Sequence, residues 1–360
     1  LNDRLETSRP PFAKRAPAAD SLSLAVSLVV VNHRSAAESE ACVASLREAF
    51  AHERIAGEIV LVDCDSGAEE VRALAALRAD AEVFLSENRG YSGGANAGLA
   101  RARADRIILA NADVVFLSGA VTALLAAIED RPVGAAAPLC LWDEGERLRL
   151  PADSAADFFG ELGVRHFAPF ARETLRLWEW GGAARHLPGA VLAARRDVFD
   201  RVGRFDERFL FEYEETEWED RVRAAGLRLR FEPRARVRHL FARSAARNPE
   251  TEERRRISRR LYRERRWGRL GRSLLERAAA RPRRLPAYRP VDAPAVAATP
   301  GAWVAVSTNP TLIPFAGAPL DADFRLPDDV LASLRPGPVY LRTFRASDGR
   351  TLDTCVWEKR

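Results

Sequence analysis

A chain of 360 residues, 47% hydrophobic and 30% charged, is long and apolar enough for one large folded domain with a smaller one, which excludes a disordered or fibrous chain. No stretch approaches eighteen uninterrupted apolar residues, and four cysteines without CxxC spacing argue against a disulfide scaffold or thiolate metal site and read as reduced, buried thiols. The net charge of +5 is uneven: residues 243–284 hold 16 Arg and 5 Glu, a local +11, against −6 for the remainder, and so large a basic block points to a polyanionic surface nearby.

Residues 1–20 mix charges, prolines and alanines without a central apolar run, so a loose leader is expected over residues 1–22 rather than a secretory signal. Residues 26–31 are then almost wholly apolar, mostly valine, and stop at Asn32, the pattern of a strand buried on both faces. A helix is expected over 36–50, a second strand over 58–62 ending at Asp63, and a helix over 68–79. A short strand at 82–85 leads into a Gly-rich turn at 88–98, and a fourth strand at 107–109 runs into Asn111, Ala112 and Asp113. Strand alternating with helix predicts an α/β fold with a parallel sheet, whose ligands bind at the carboxyl ends of the strands. Asn32, Asp63, Asn88 and Asp113 stand at those ends.

Residues 142–186 read as mixed loops and short helices. Order returns with an apolar run after Gly189, a short helix near 197–201, and a charged helix from Glu214 that stops at Gly226. A strand at 228–232 precedes Val237, Arg238 and His239. The Arg-rich stretch 250–280 is expected to be helical, with Ile257, Leu261, Leu270 and Leu274 on its apolar side and Gly268 and Gly271 weakening its middle. A Pro/Ala-rich linker, a strand at 302–306 and a hairpin closed near Asp348-Gly349 complete the chain. The domain plan is a leader (1–22), an α/β domain (23–245), an Arg-rich helical segment (246–284), a linker (285–300) and a small β-rich unit (301–360).

The ordered series Asn32, Asp63 with Asp65, Asn88 with Gly90 and Asn96, Asn111-Ala112-Asp113, Gly189-Ala190, Phe205-Asp206-Glu207, Glu214-Glu215-Thr216-Glu217 and His239 resembles the family 2 glycosyltransferases of GT-A fold, in their rhamnosyltransferase-like branch. The likeness spans residues 23–239. It implies that Asp63 bonds the base of a nucleotide-sugar donor, Asn32 and Asp65 shape the nucleotide pocket, and Asn88, Gly90 and Asn96 form a loop against nucleotide and sugar. Asn111-Ala112-Asp113 occupies the place of the family's Asp-x-Asp metal motif, with Asn for the first carboxylate. The likeness thus assigns Mg²⁺ or Mn²⁺ to Asp113 and His239, with donor diphosphate oxygens completing the shell. Glu215 matches the catalytic base, with Glu214 beside it, where the family usually has Glu-Asp-x-Asp. Asp206, Gly189 and Glu217 fall on the acceptor and sugar side, and His186 is expected to pack.

A base opposite the leaving diphosphate implies single displacement with inversion, from a dTDP-, UDP- or GDP-linked sugar to a hydroxyl of a glycan or lipid-linked acceptor. The setting implied is bacterial cell-envelope polysaccharide synthesis in the cytoplasm. The basic helix of residues 250–280 is expected to touch anionic lipid on the inner face of the plasma membrane; with few aromatics interleaved, no nucleic-acid partner is expected. A dehydrogenase is excluded because the turn after the first strand, residues 32–35, lacks glycine, and the loop of a nucleotidyltransferase is absent there too. The competing reading is a catalytically inactive relative that binds nucleotide sugar or glycan.

Overall fold

The first strands show why this chain makes an α/β sheet. β1 (Val26–Asn32) is buried at every position, and β2 (Gly57–Cys64) at every position but the first, so helices must cover both faces. The computed structural model describes residues 24–153, 157–162, 165–240, 251–279 and 285–360; the expected leader lies outside them. Helices α1 (Ala36–Glu53), α2 (Ala68–Ala75) and α3 (Gly90–Arg101) alternate with β1, β2, β3 (Ala81–Leu85) and β4 (Arg106–Asn111). The order β3-β2-β1-β4 is parallel throughout.

Register carries the functional consequence. Asn32 lies opposite Asp63, and Val31 opposite Asn111, so three polar strand ends reach one edge together. Beyond β4 the sheet continues through β8 (Val191–Arg195), β6 (Val133–Leu141), β9 (Arg228–His239) and β5 (Val114–Phe116), with β7 (Gly182–Ala184) also on β9. β8 runs antiparallel to β4 and sets Val191 against Ala110, bringing Gly189 and Ala190 beside Asn111. β5 runs antiparallel to β9 and sets Val114 against His239. The chain thus returns across more than a hundred residues to put an imidazole beside Asp113.

α4 (Ala120–Glu129), α5 (Phe158–Leu162), α6 (Phe167–Trp180), α7 (Arg196–Val202) and α8 (Glu214–Ala224) complete the larger unit. The Arg-rich helix α9 (Thr251–Ala279) is bent at Gly268, whose φ of 69° interrupts it, in line with the weakness expected there. The expected linker at 285–300 is tied down instead: β10 (Arg289–Pro290) pairs with β16 (Thr351–Lys359), and β11 (Ala295–Val296) with β14 (Phe324–Arg325). β12 (Ala302–Ser307), β13 (Ala316–Pro319), helix α10 (Asp328–Ser333) and β15 (Gly337–Arg345) fill the rest of the tail. Its sheet, β10-β16-β15-β12-β13, packs on α6, with Phe344 5.2 Å from Phe167 and Trp303 stacked on Trp178 at 5.5 Å between ring centroids. The β-rich tail therefore shares its core with the larger unit.

Candidate active site

The carboxyl edge of β1 and β4 opens into a small cleft with a cavity volume of about 120 Å³. Asn32, Asn88, Gly90, Asn111 and Asp113, all singled out in the sequence, line it. His33, Ser35, Tyr91, Phe211, Thr251 and Arg254 also line it and were not anticipated. His33 and Ser35 were within reach of sequence reasoning, since both directly follow a strand end. Phe211, Thr251 and Arg254 arrive from elements whose approach no local pattern announces.

Asp63 is buried behind the cleft and held by its neighbours. Asn32 Nδ2 donates to its Oδ1 at 2.8 Å, the Ser66 hydroxyl to the same oxygen at 2.5 Å, and the Ser66 amide to Oδ2 at 3.0 Å. Asn32 Oδ1 accepts from Ser39 at 3.0 Å, so this asparagine is fixed at both ends of its amide. Asp65, in a left-handed conformation with φ of 57°, is exposed and does not line the cleft. Asn88 Oδ1 accepts from the Gly90 amide at 2.9 Å, and its Nδ2 faces the His33 ring at 3.3 Å. Burial holds the His33 imidazole below its usual value, so it stands neutral near pH 7. Gly90 is required where it is: its φ is 70°, and a Cβ would lie 2.3 Å from the Leu210 carbonyl oxygen.

Asn96 departs from its expected part. Its Nδ2 donates to Phe205 O at 3.0 Å and Glu207 Oε1 at 2.9 Å, and its Oδ1 accepts from the Phe205 amide at 3.1 Å. It clamps the 205–207 loop onto α3 and does not face the cleft. Asp206 and Glu217 are likewise engaged in ion pairs. Burial would raise the Asp206 carboxyl, but hydrogen bonds from Arg208 and the charges of Arg208 and Arg265 bring it down to about 2. Glu217 pairs with Arg221 at 3.0 Å and Arg265 at 2.9 Å.

His239 Nε2 lies 3.2 Å from Asp113 Oδ1, and both residues are buried. An oxygen and a nitrogen donor so placed suit Mg²⁺ or, with imidazole, Mn²⁺. Among the described residues no group of three or more His, Cys, Asp or Glu side chains could hold a metal. The donor set therefore fits a cation shared with substrate oxygens rather than one caged by protein.

Glu214 and Glu215 open α8 after two residues in left-handed conformation, Glu212 (φ 61°) and Tyr213 (φ 69°), backbone strain of the kind that gathers at functional sites. Oε2 of each glutamate is buried without a hydrogen-bond partner. Burial, reinforced by Glu215, raises the Glu214 carboxyl well above its usual range. Burial, with Glu212 adding to it, pushes Glu215 up to about 7. Neither side chain lines the cleft directly; both stand against its wall. Glu215 lies on Gly189, where a Cβ would come within 2.9 Å of its carboxyl carbon, and both glutamates act electrostatically on Tyr91, a cleft residue. The Asn111 amide donates to Ala190 O at 2.9 Å, tying the segment under Glu215 to the strand end that carries Asp113. Gly189 serves this approach by having no side chain. His186 is buried 3.3 Å from Asp220, in packing as expected.

The model of glycosyl transferase family 2 matches residues 27–203. An N-acetylglucosaminyl-diphospho-decaprenol L-rhamnosyltransferase of Mycobacterium tuberculosis, found in two strains, is 32% identical over 153 residues, 40% of this chain and 50% of the relative. The chain thus spans about half the length of the curated relatives it matches. Among solved structures, the mannosyltransferase PcManGT from Pyrobaculum calidifontis, in complex with GDP-Man and Mn²⁺, is 16% identical with a TM-score of 0.45, over 77% of this chain and 80% of that one. GalNAc-T7 with UDP, GalNAc and Mn²⁺ is 20% identical with a TM-score of 0.45, over 61% and 44%. Residues 27–203, which carry the strand ends described above, are thus similar to glycosyl transferase family 2.

Proposed function

We propose that this protein is an inverting glycosyltransferase that moves a sugar from a nucleoside-diphosphate sugar to an acceptor hydroxyl. The observation that carries it is the Asp113–His239 pair at a cleft whose wall backs onto a half-buried glutamate, Glu215, whose carboxyl holds its proton more tightly than usual. Asn32, His33 and Asn88 would receive the nucleoside, with Asp63 holding Asn32 in place. Asp113 and His239 would hold Mg²⁺ or Mn²⁺, which when bound neutralises charge on the leaving diphosphate. Glu215 takes the acceptor proton as the acceptor oxygen bonds to the anomeric carbon. The bond from that carbon to the diphosphate breaks on the opposite face, and its electron pair leaves on the diphosphate oxygen. Configuration inverts, and no enzyme nucleophile is required.

The mycobacterial relative is named for L-rhamnosyl transfer to a polyprenyl-diphosphate-linked N-acetylglucosamine, so dTDP-, UDP- and GDP-linked sugars with polyprenyl-linked acceptors form the first panel to test. Nucleoside diphosphate release that needs both acceptor and Mn²⁺, with product of inverted configuration, is expected. Donor binding without any nucleotide release would leave only a binding protein. Replacing His239 with Ala should raise the Mn²⁺ concentration for half-maximal rate roughly tenfold to a hundredfold; an unchanged requirement removes His239 from the metal site.

We further propose that α9 works at the cytoplasmic face of the plasma membrane, where lipid-linked acceptors lie. No helix among the described residues is long and apolar enough to cross a membrane. Beyond the bend at Gly268, Leu270 is 89% and Leu274 54% exposed, beside Arg269 and Arg277, a combination suited to an anionic lipid surface. The chain should pellet with phosphatidylglycerol vesicles at low salt, and a Leu270→Asp/Leu274→Asp variant should not. Wild-type protein that stays in the supernatant refutes the membrane role.

A further inference from the structure

The basic helix enters the cleft. Thr251 and Arg254, three residues apart on the first turns of α9, line the same cavity as Asn111, Ala112 and Asp113. The next face of the helix fixes their position. The Ser258 hydroxyl accepts from the Phe211 amide at 3.4 Å, the Arg255 guanidinium lies 5.4 Å over the Phe211 ring, and Arg255 pairs with Glu212 at 2.9 Å. Phe211 is itself a cleft residue, so the segment that pins the helix also walls the cavity. Farther along, Tyr262 is buried and its hydroxyl donates to Asp220 at 3.0 Å, and Arg266 pairs with the same carboxylate at 3.1 Å. Arg254 is thus delivered by a helix anchored over several turns.

Its charge is felt inside the cleft. Arg254 acts on the His33 imidazole, adding to the burial that holds that ring below its ordinary value. Across the cavity the strand end offers one carboxylate, Asp113, because the first position of the motif is the neutral Asn111. A nucleoside diphosphate leaves with roughly three negative charges, about one more than a divalent cation neutralises, and the Asp113 carboxylate adds another. A guanidinium answers that need because its planar donors match phosphate oxygens and its charge persists at every working pH.

We propose that Arg254 is a diphosphate-binding residue of this cleft, bonding the phosphate oxygens of the donor and of the nucleoside diphosphate that departs. The inference rests on the reading of the cleft as a nucleotide-sugar site and adds to it a residue from outside the matched family segment. It also gives part of the basic helix a role within the protein, distinct from any role at a lipid surface.

Calorimetric titration of the full chain with UDP, dTDP and GDP in the presence of Mn²⁺, each set against its own nucleoside, tests this. Wild-type protein should bind at least one diphosphate more tightly than its nucleoside. Arg254→Gln should weaken the diphosphate roughly tenfold to a hundredfold and leave the nucleoside unchanged, and Arg254→Lys should recover part of the loss. Arg256→Gln, which removes an exposed arginine of the same turn paired with Glu253, should match wild type and so controls for net charge. Thermal midpoints of the variants report folding. Equal diphosphate affinity in wild type and Arg254→Gln overturns the assignment while leaving the nucleotide site intact. Wild-type protein that binds none of the three diphosphates overturns the nucleotide site and Arg254's part together.

Discussion

At the first turn of α8, Glu214 is buried and Glu215 half-buried beside it, each with one buried carboxylate oxygen lacking a hydrogen-bond partner. Burial disfavours the ionised form, and the Glu215 carboxyl is pushed up to about 7. A base that must be ionised to accept a proton then gives a rate that climbs with pH through about 7 and levels off above it. Glu215→Gln should lower kcat by roughly 10²–10⁴-fold and leave nucleotide affinity nearly unchanged. A stability effect of definite sign follows. Between the ordinary carboxyl value of 4.5 and about 7 the folded protein binds a proton that the unfolded chain releases, so this site costs stability as pH rises through that window. Glu215→Gln should therefore raise the thermal midpoint relative to wild type at pH 8 and have little effect at pH 4. The opposite order would mean that the carboxylate is stabilised, not strained, in its site.

At the scale of elements, the interface between α8 and α9 explains the charge imbalance of the sequence. The acidic positions of α8 and the loop before it meet the arginines of α9: Glu212 with Arg255, Glu217 with Arg265, Asp220 with Arg266, and Asp206 also with Arg265. Arg263 pairs with Glu161 of α5 at 2.6 Å. Much of the basic block thus faces the protein's own carboxylates, and a lipid surface is left the portion beyond Gly268. Glu217 is buried while Arg265 is 41% exposed, which discounts the pair for solvent screening. Glu217→Gln should cost about 1–2 kcal/mol, read from the urea midpoint. It should also lower kcat, because the same contact steadies the turn that presents Glu215. Full activity in a destabilised variant would separate the two effects. β6 shows how an element can hide from its own sequence. Its run of Val133, Gly134, three alanines and Pro138 lacks the bulk of a typical strand. A Cβ on Gly134 would meet Val222 of α8 at 2.4 Å, so smallness here is imposed by a helix ninety residues away.

For the whole molecule, the β-rich tail and the larger unit unfold together if their core is shared as the rings indicate. Phe344 is fully buried and packs on Phe167 and Phe315, while Phe315 reaches Phe170 and Trp178. Phe344→Ala should cost about 3–5 kcal/mol. Scanning calorimetry should give one transition that moves as a whole. Two transitions, with only the smaller one shifted, would show that the tail folds on its own. Removal of a tail so attached would expose the aromatic face of α6.

Sequence alone determined the alternation of strand and helix, the polar strand ends and the ordered motifs, because buried parallel strands and their terminal turns write local, periodic patterns. Asn32, Asn88, Gly90, Asn111 and Asp113, singled out by those motifs, line one cleft, since Asn32 and Asn111 end neighbouring strands and the others follow strand ends within a few residues. Tertiary structure decided what no local pattern contains. It turned Asn96 and Glu217 into clamps, placed Glu215 behind Gly189, paired His239 with Asp113 across two strands, and brought Arg254 into the cleft on an anchored helix. The physical reason is that a side chain's task depends on which partners long-range packing brings within a few ångströms, and those partners lie far off along the chain.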